Sequence, residues 1–385
     1  MITPFRIEIP DDVLVDLQDR LGRTRWPEDF ANADWSYGAN TAYIRELVDY
    51  WINDYDWRKT EAQINAWPNW RTEVDSTPIH FIHVRGKGPT PVPLILNHGW
   101  PWTFWDLRKV IGPLSDPASH GGDPADAFDI IVPSLPGYGF STPLRTTGIN
   151  YWKTADLWVK LMERLGYQRF GTQGGDWGAF VSEQLGHKYA DRVIGVHVHL
   201  FQPLTALAGI AVPEDDYIPE EAELLTRNAA WHADQSGYYQ LQSTKPQTPA
   251  IGMNDSPAGL LAWLVEKRRA WSDCRGDVES VFSKRDLIDN AMIYWITNSF
   301  GTAARYYYEA RRHPWVPSHD RQPVVEAPTA ILKYPNDVLM SPKRWAEKYF
   351  NLIRWNCLDN GGHFGAMEKP QALVDDLRDF FRSLR

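Results

Sequence analysis

An α/β protein with a mostly parallel sheet, an inserted helical block and an N-terminal meander is the fold the sequence predicts. Three observations predict it. Between residues 89 and 200 short apolar runs alternate with helical patterns, the signature of parallel strands joined by crossover helices. From 201 to about 312 the rhythm gives way to helical, aromatic-rich sequence, and it resumes with strand-like runs near 330 and 352. Residues 1–88 read mostly as helix and connection. The expected division is therefore 1–88 as a meander packing on the rest, 89–200 as the first part of the core, 201–312 as a helical lid and 313–385 as the second part of the core.

In chain order, Asp11 and Asp12 are candidate N-caps of a surface helix over 11–22, with Leu14, Leu17 and Leu21 on one face. A second helix, Thr41 to Asp54, carries Ile44, Leu47, Val48 and Trp51; Pro68 and a mixed stretch then lead to a strand over Ile79 to Val84. Strands follow at Leu94-Ile95-Leu96 and Phe128 to Val132. Helix Thr154 to Leu165, apolar at Ala155, Leu157, Trp158, Leu161 and Leu165, crosses to a strand at Phe170 to Gln173. Beyond a glycine-rich turn come helix Ala179 to Tyr189 and strand Val193 to Leu200. The last strands are Ala330-Ile331-Leu332 and Leu352 to Trp355. There is no internal repeat and no low-complexity tract.

A chain of 385 residues with 43% hydrophobic content can bury a large core. The formal net charge of −9 is spread without a basic cluster, which argues against nucleic acid or an anionic membrane as the main partner and suits a small neutral substrate. Only Cys274 and Cys357 are present, without disulfide-framework or metal-site spacing, so a reducing compartment and two buried thiols are expected. No signal-peptide pattern or membrane-length apolar stretch is found, so a cytoplasmic protein is expected, with no cofactor or metal and with a homodimer allowed. The 19 Trp and 17 Tyr are mostly packing residues, and a minority could line an apolar pocket.

The chemistry centres on Gly174-Gly175-Asp176-Trp177-Gly178. A sharp strand-to-helix turn crowds the positions two residues either side of its central residue, so it needs small residues there, as Gly174 and Gly178 are. Such a turn presents its central side chain as a nucleophile, and a carboxylate in that place favours attack on an alkyl carbon. Asn97-His98-Gly99-Trp100-Pro101 follows a strand where backbone N–H groups can form an oxyanion hole, with Trp100 and Trp177 as donors and Pro101 able to take a cis bond; it also reads as an ordinary strand-ending turn. Asp359-Asn360-Gly361-Gly362-His363-Phe364 presents His363 after the last strand, and Tyr334-Pro335-Asn336-Asp337 offers Asp337 after the preceding one. Nucleophile, acid, histidine is the chain order this architecture uses, with the acid fixing the imidazole tautomer. His197 and His199 share a strand face but lack a third ligand, and His80 and His83 read as structural.

With these segments assembled, the chain resembles the microsomal-type epoxide hydrolases of the α/β-hydrolase superfamily, including the juvenile hormone epoxide hydrolases, over essentially its full length. The resemblance rests on Thr24-Arg25-Trp26-Pro27, Trp57-Arg58-Lys59-Thr60-Glu61, His98 to Pro101, Pro136-Gly137-Tyr138-Gly139-Phe140-Ser141, the Asp176 turn and Gly361 to Phe364. In the lid it rests on Ser236-Gly237-Tyr238 with Thr244-Lys245-Pro246 and Asn254-Asp255-Ser256-Pro257, and on Arg305-Tyr306-Tyr307-Tyr308-Glu309. It implies an α/β-hydrolase core in which Asp176 opens an epoxide, Tyr238 and Tyr307 bind its oxygen and one of them protonates it. His363, oriented by Asp337, then activates water against the resulting ester, and the Trp100 and Trp177 amides stabilise the oxyanion. Read from the residues alone, Tyr306, Tyr307 and Tyr308 are consecutive on a helix, so at most two face one pocket. Against the membrane-bound mammalian members the resemblance implies two departures: their N-terminal anchor is not expected here, and Asp337 stands where they often have glutamate. It is also similar to bacterial members, among them the epoxide hydrolases of actinobacterial enediyne antibiotic pathways, which implies a bulky or aryl epoxide.

Two other functions fit the same residues. Haloalkane dehalogenases use an aspartate ester, and Trp177 stands where they donate an indole N–H to the halide; a departing halide, however, needs no phenol to protonate it. A ligand-binding protein on this fold would need neither nucleophile nor base. A serine esterase fits less well still, because no Gly-x-Ser-x-Gly occurs.

Overall fold

The computed structural model describes residues 1–385. Its sheet has nine strands: β1 (Thr3–Pro4), β2 (Asn69–Val74), β3 (Thr77–Val84), β4 (Val92–Asn97), β5 (Phe128–Pro133), β6 (Phe170–Gly174), β7 (Val193–Val198), β8 (Val325–Lys333) and β9 (Phe350–Cys357), in the order β1-β2-β3-β5-β4-β6-β7-β8-β9. From β5 to β9 every neighbouring pair is parallel, and β1, β2 and β3 extend the sheet antiparallel beyond β5. The inner parallel strands are covered on both faces, so β5 is buried at every residue and its Ile130-Ile131-Val132 run does not alternate with polar residues. Between β7 and β8 the chain is helical, with the longer helices at Ala222–Gln235, Gly237–Thr244, Gln247–Asp255, Pro257–Trp271, Lys284–Ile296 and Phe300–Arg312.

The first 88 residues depart from the expectation of helix and connection, because they also supply three strands. The mixed stretch after Pro68 is β2, and it turns into β3 through Asp75 and Ser76, both at positive φ (48° and 60°) as a two-residue hairpin turn requires. A polar strand facing solvent on one side has no apolar run to announce it; the Asp-Ser pair was the available signal. The first helix, Asp11–Gly22, starts from Pro10, which is its N-cap, so Asp11 and Asp12 lie in the first turn, where their charge complements the helix dipole instead of capping it. A helix at Trp57–Asn65 was also not anticipated. It holds the Trp57 to Glu61 motif, whose work is structural: Glu61 accepts from Trp57 Nε1 (3.1 Å) and Ile9 N (2.8 Å), and Thr60 Oγ1 donates to Asp289 Oδ1 (2.6 Å) on the helical cover.

The histidines outside the motifs are packing residues. His80 is buried between Ser134 Oγ (2.9 Å) and Asn69 Oδ1 (3.0 Å), and burial lowers its pKa to about 3. His83 contacts the Tyr167 hydroxyl at 3.1 Å. His197 on β7 meets Asp376 Oδ2 at 3.0 Å, and no group of three His, Cys, Asp or Glu side chains is placed to hold a metal ion. Cys274 is buried, but Cys357 is exposed, contrary to expectation, because it ends the edge strand β9. No helix is long and apolar enough to cross a membrane.

Asp376 joins three elements: besides His197 it accepts from Arg354 Nη2 (2.6 Å) on β9 and Asn356 Nδ2 (2.8 Å). Burial alone would raise its carboxyl, yet these donors hold it well below the ordinary carboxylate range. A depressed folded-state pKa contributes stability above the unfolded pKa and loses it as pH falls through the folded one. Asp376→Asn is expected to cost about 3 kcal/mol in urea unfolding at pH 7, as for a broken buried charge pair. The gap from the unsubstituted protein should narrow as pH drops below about 4.

Candidate active site

Asp176 sits between β6 and helix Trp177–Lys188 with φ 52° and ψ −127°, a conformation that costs about 1–3 kcal/mol for a non-glycine residue and is held by the packing around it. The two flanking glycines make that turn possible. A Cβ on Gly174 would lie 2.1 Å from the Gly178 carbonyl oxygen, and one on Gly178 would lie 2.4 Å from the Asn97 carbonyl oxygen. Asn97 in turn ties β4 to the turn: its Nδ2 donates to Thr172 Oγ1 (3.0 Å) and the Gln173 carbonyl (3.1 Å), and its Oδ1 accepts from Trp158 Nε1 (2.7 Å).

The run after β4 lies directly against the carboxylate. Trp100 N–H donates to Asp176 Oδ1 at 2.7 Å, and the Trp100–Pro101 peptide is cis. His98 holds this run in place. Leu135 N–H donates to its Nε2 (2.9 Å), which leaves the ring proton on Nδ1 to donate to the Gly99 carbonyl (2.9 Å); burial lowers the ring to about 4, so it stays neutral. Trp177 N–H, the expected second donor, opens the helix beside Asp176 and makes no bond to the carboxylate in this state.

His363 and Asp337 complete a line of three. His363 is fully buried, its Nε2 is 3.5 Å from Asp176 Oδ2, and its Nδ1 is 2.8 Å from Asp337 Oδ1, which also accepts from Val338 N–H (2.7 Å). An aspartate therefore reaches the imidazole without the extra methylene of glutamate. Burial by itself would lower the His363 pKa, but the two carboxylates outweigh it and raise it to about 10. The histidine loop is held by a residue the sequence reading did not single out: Glu368 accepts from Gly362 N–H (2.9 Å) and Phe364 N–H (2.8 Å), and from Asp273 N–H (2.9 Å) of the helical block. His363 N–H also donates to the Trp271 carbonyl at 2.9 Å. Glu368 follows the motif closely and could have been suspected as a cap; Trp271 and Asp273 lie some ninety residues earlier and gave no local signal.

Above Asp176 lies a cavity of about 850 Å³ whose lining includes Asp176, Trp177, Tyr238 and Tyr307. Tyr238 stacks on Trp100 (ring centroids 4.8 Å, 5° between planes), and Tyr307 stands edge-on to Trp177 (4.6 Å, 69°). The Tyr307 hydroxyl is buried without a protein partner. Burial, reinforced by the Asp176 charge, pushes both phenols well above their usual range, so both carry their protons at neutral pH. Tyr306, by contrast, faces away and meets Thr154 Oγ1 (2.8 Å), and Tyr308 is half-buried outside the lining. Asp176, Trp177, Tyr238 and Tyr307 thus line one cavity, with Trp100, His363 and, behind it, Asp337 arranged about the Asp176 carboxylate, while Trp177 N–H and the Tyr307 hydroxyl are left without a protein acceptor.

A sheet of this order, with an elbow carboxylate, a histidine after the last strand and an acid after the one before, defines an α/β hydrolase. Comparison with known proteins narrows the class. Residues 2–107 match the family model described as epoxide hydrolase N terminus, and residues 92–207 match the alpha/beta hydrolase fold. The chain is 42% identical over 385 residues to a protein of Stigmatella aurantiaca (strain DW4/3-1) provisionally named an epoxide hydrolase, covering 100% of this chain and 86% of that one. It is 35% identical to epoxide hydrolase 1 of Oryctolagus cuniculus, covering 98% and 88% of the two chains. The crystal structure of juvenile hormone epoxide hydrolase from the silkworm Bombyx mori superposes with a TM-score of 0.88 at 29% identity, covering 100% and 95%. The chain belongs to the epoxide hydrolase family.

A Cβ on Gly99 would fall 2.3 Å from Asp176 Oδ1, so Gly99→Ala must displace either the carboxylate or the Trp100 amide. Epoxide turnover is expected to fall by roughly 100-fold or more, the scale of losing one oxyanion donor, with an unchanged circular dichroism spectrum.

Proposed function

We propose that the chain opens an epoxide to a vicinal diol through a covalent ester on Asp176. In the first step an Asp176 carboxylate oxygen attacks a ring carbon, the ring C–O bond breaks, and the electron pair stays on the epoxide oxygen, which takes a proton from Tyr238 or Tyr307. In the second step His363 Nε2 takes a proton from water and the water oxygen attacks the ester carbonyl carbon. The acyl C–O bond then breaks, the departing alkoxide takes the second proton of the water, and Asp176 returns as a carboxylate with one oxygen from water; the phenolate left by the first step takes up the proton that the resting imidazolium releases before His363 acts as base. Because Oδ1 is the oxygen held by Trp100 N–H, it is the natural place for oxyanion charge, with Trp177 N–H as second donor; Oδ2 is then the attacking atom.

The observation that carries this reading is the placement of the Asp176 carboxylate at the floor of a cavity roofed by two protonated phenols, with one imidazole on its other side. A halide would leave without protonation, so the phenols favour an epoxide over a haloalkane. The cavity walls include Phe180, Leu207, Trp231, Tyr239 and Val338, and this apolar volume suits a bulky or aryl epoxide.

The proton inventory also supports two steps. At rest His363 lies between two carboxylates and is held near 10, so it is an imidazolium at neutral pH. Alkylation turns Asp176 into a neutral ester and removes one of those charges; the imidazole pKa falls, and a neutral base becomes available when the ester needs one.

Mixing His363→Gln with styrene oxide is expected to leave a stoichiometric adduct on Asp176 in intact-protein and peptide mass spectra, with diol formation reduced by at least about 100-fold. An adduct elsewhere, or none, would refute the ester. In the unsubstituted enzyme the rate of ester breakdown in single-turnover experiments should rise with pH and reach its plateau clearly below pH 10, since the acid that loses its proton is the imidazolium beside an uncharged ester. Tyr238→Phe and Tyr307→Phe should each slow ester formation by roughly 10- to 100-fold, sharing the contribution of one general acid.

A further inference from the structure

The rim of the cavity differs in kind from its floor and walls. Arg311 contributes to the lining at the exposed end of helix Phe300–Arg312, one turn beyond Tyr307 on the same helix face. Its Nη1 donates to Gln240 Oε1 (3.2 Å) and to the buried Ser243 Oγ (3.1 Å), both neutral acceptors, and no carboxylate lies within ion-pair distance of its guanidinium. Of the lining residues only Asp176 is acidic, and it lies at the floor. His232, also in the lining, is exposed at the surface, and the partial enclosure of its ring lowers its pKa from the ordinary imidazole value. The cavity therefore runs from a reacting carboxylate and two phenols, through aromatic and aliphatic walls, to one oriented, uncompensated cation.

Resting on the epoxide-opening reading above, we propose that Arg311 is a specificity-determining residue that selects epoxides carrying an anionic group remote from the ring, a carboxylate being the form that matches a guanidinium fork. Position sets the spacing. Four residues of helix separate Tyr307 from Arg311 by roughly 6 Å along the axis, so the anion belongs several bonds away from the epoxide and across an apolar spacer, not on the ring itself. Charge gives the reason for a dedicated cation: the chain is formally −9 and Asp176 is anionic, so an anionic substrate approaches against the field of the whole protein unless a local positive group receives it. Gln240 and Ser243 hold the guanidinium in place beforehand, so little side-chain freedom is lost when the anion binds.

The test compares 4-(oxiran-2-yl)benzoate with its methyl ester, which share the aryl epoxide and differ in the charge opposite it. The ratio of their kcat/KM values, taken on one enzyme preparation, is insensitive to the fraction of active protein. The unsubstituted enzyme is expected to favour the carboxylate by roughly 3- to 10-fold at low salt, the range for a charge-assisted contact at a solvent-facing rim, mainly through KM. The preference should shrink as ionic strength rises. In Arg311→Met the ratio should fall to one or below, and in Arg311→Lys it should be intermediate, because a point charge replaces the fork. Equal kcat/KM for the two epoxides in the unsubstituted enzyme, or the same ratio before and after Arg311→Met, would overturn the assignment while leaving epoxide opening intact. Absence of turnover with both substrates and with styrene oxide would instead remove the reading on which the assignment rests.

Discussion

Two carboxylates share one imidazole in a site that water barely reaches. Taking a carboxylate out of water costs several kcal/mol, and here Asp337 is fully enclosed while Asp176 keeps only a small exposed surface. The arrangement is tolerable because the imidazole between them can be positively charged and because backbone N–H groups of Trp100 and Val338 donate to Asp176 Oδ1 and Asp337 Oδ1, although Asp337 Oδ2 is buried without a partner. Removing the imidazole would leave two buried carboxylates facing each other, and removing either carboxylate takes away part of the charge that holds the imidazolium. This coupling explains why so much of the surrounding structure is devoted to holding loop ends: Asn97 across β4 and β6, His98 under the Trp100 turn, and Glu368 behind the histidine loop each satisfy backbone groups that would otherwise let the triad drift.

The division of labour between sheet and cover follows from the same constraint. The three charged groups sit at the ends of parallel strands, where the packed sheet limits their motion, whereas Tyr238 and Tyr307 come from helices laid over the sheet. The two sets meet through aromatic contacts: Tyr238 on Trp100, Tyr307 against Trp177, Trp271 against His363. Some of the Trp and Tyr residues are thus placed where the cover must register against the sheet, since rigid rings fix relative position with few rotatable bonds. The N-terminal segment braces that cover from outside, with Thr60 and Tyr55 both on the buried Asp289.

Much of this was legible beforehand because short-range rules governed it. The turn at Asp176 needed glycines at two set positions, the histidine and acid had to follow particular strands in a particular order, and inner parallel strands such as β5 had to carry short apolar runs. What escaped the reading was governed by partners far away in the chain. β2 is polar on one face and pairs only because β3 lies beside it; Cys357 is exposed because β9 happens to be the edge; His363 N–H finds its acceptor at Trp271, on a helix of the cover.

Residue types, their spacing and their order by themselves determined the fold class and the family, since turn sterics and strand burial act over a few residues. Tertiary structure alone decided which of three consecutive tyrosines faces Asp176, that only one of two amides touches its carboxylate, and that an arginine stands at the cavity rim without an acidic partner. Those outcomes depend on how helices pack across the sheet and on the sum of charges gathered from distant segments, and neither quantity is written in any local stretch of sequence.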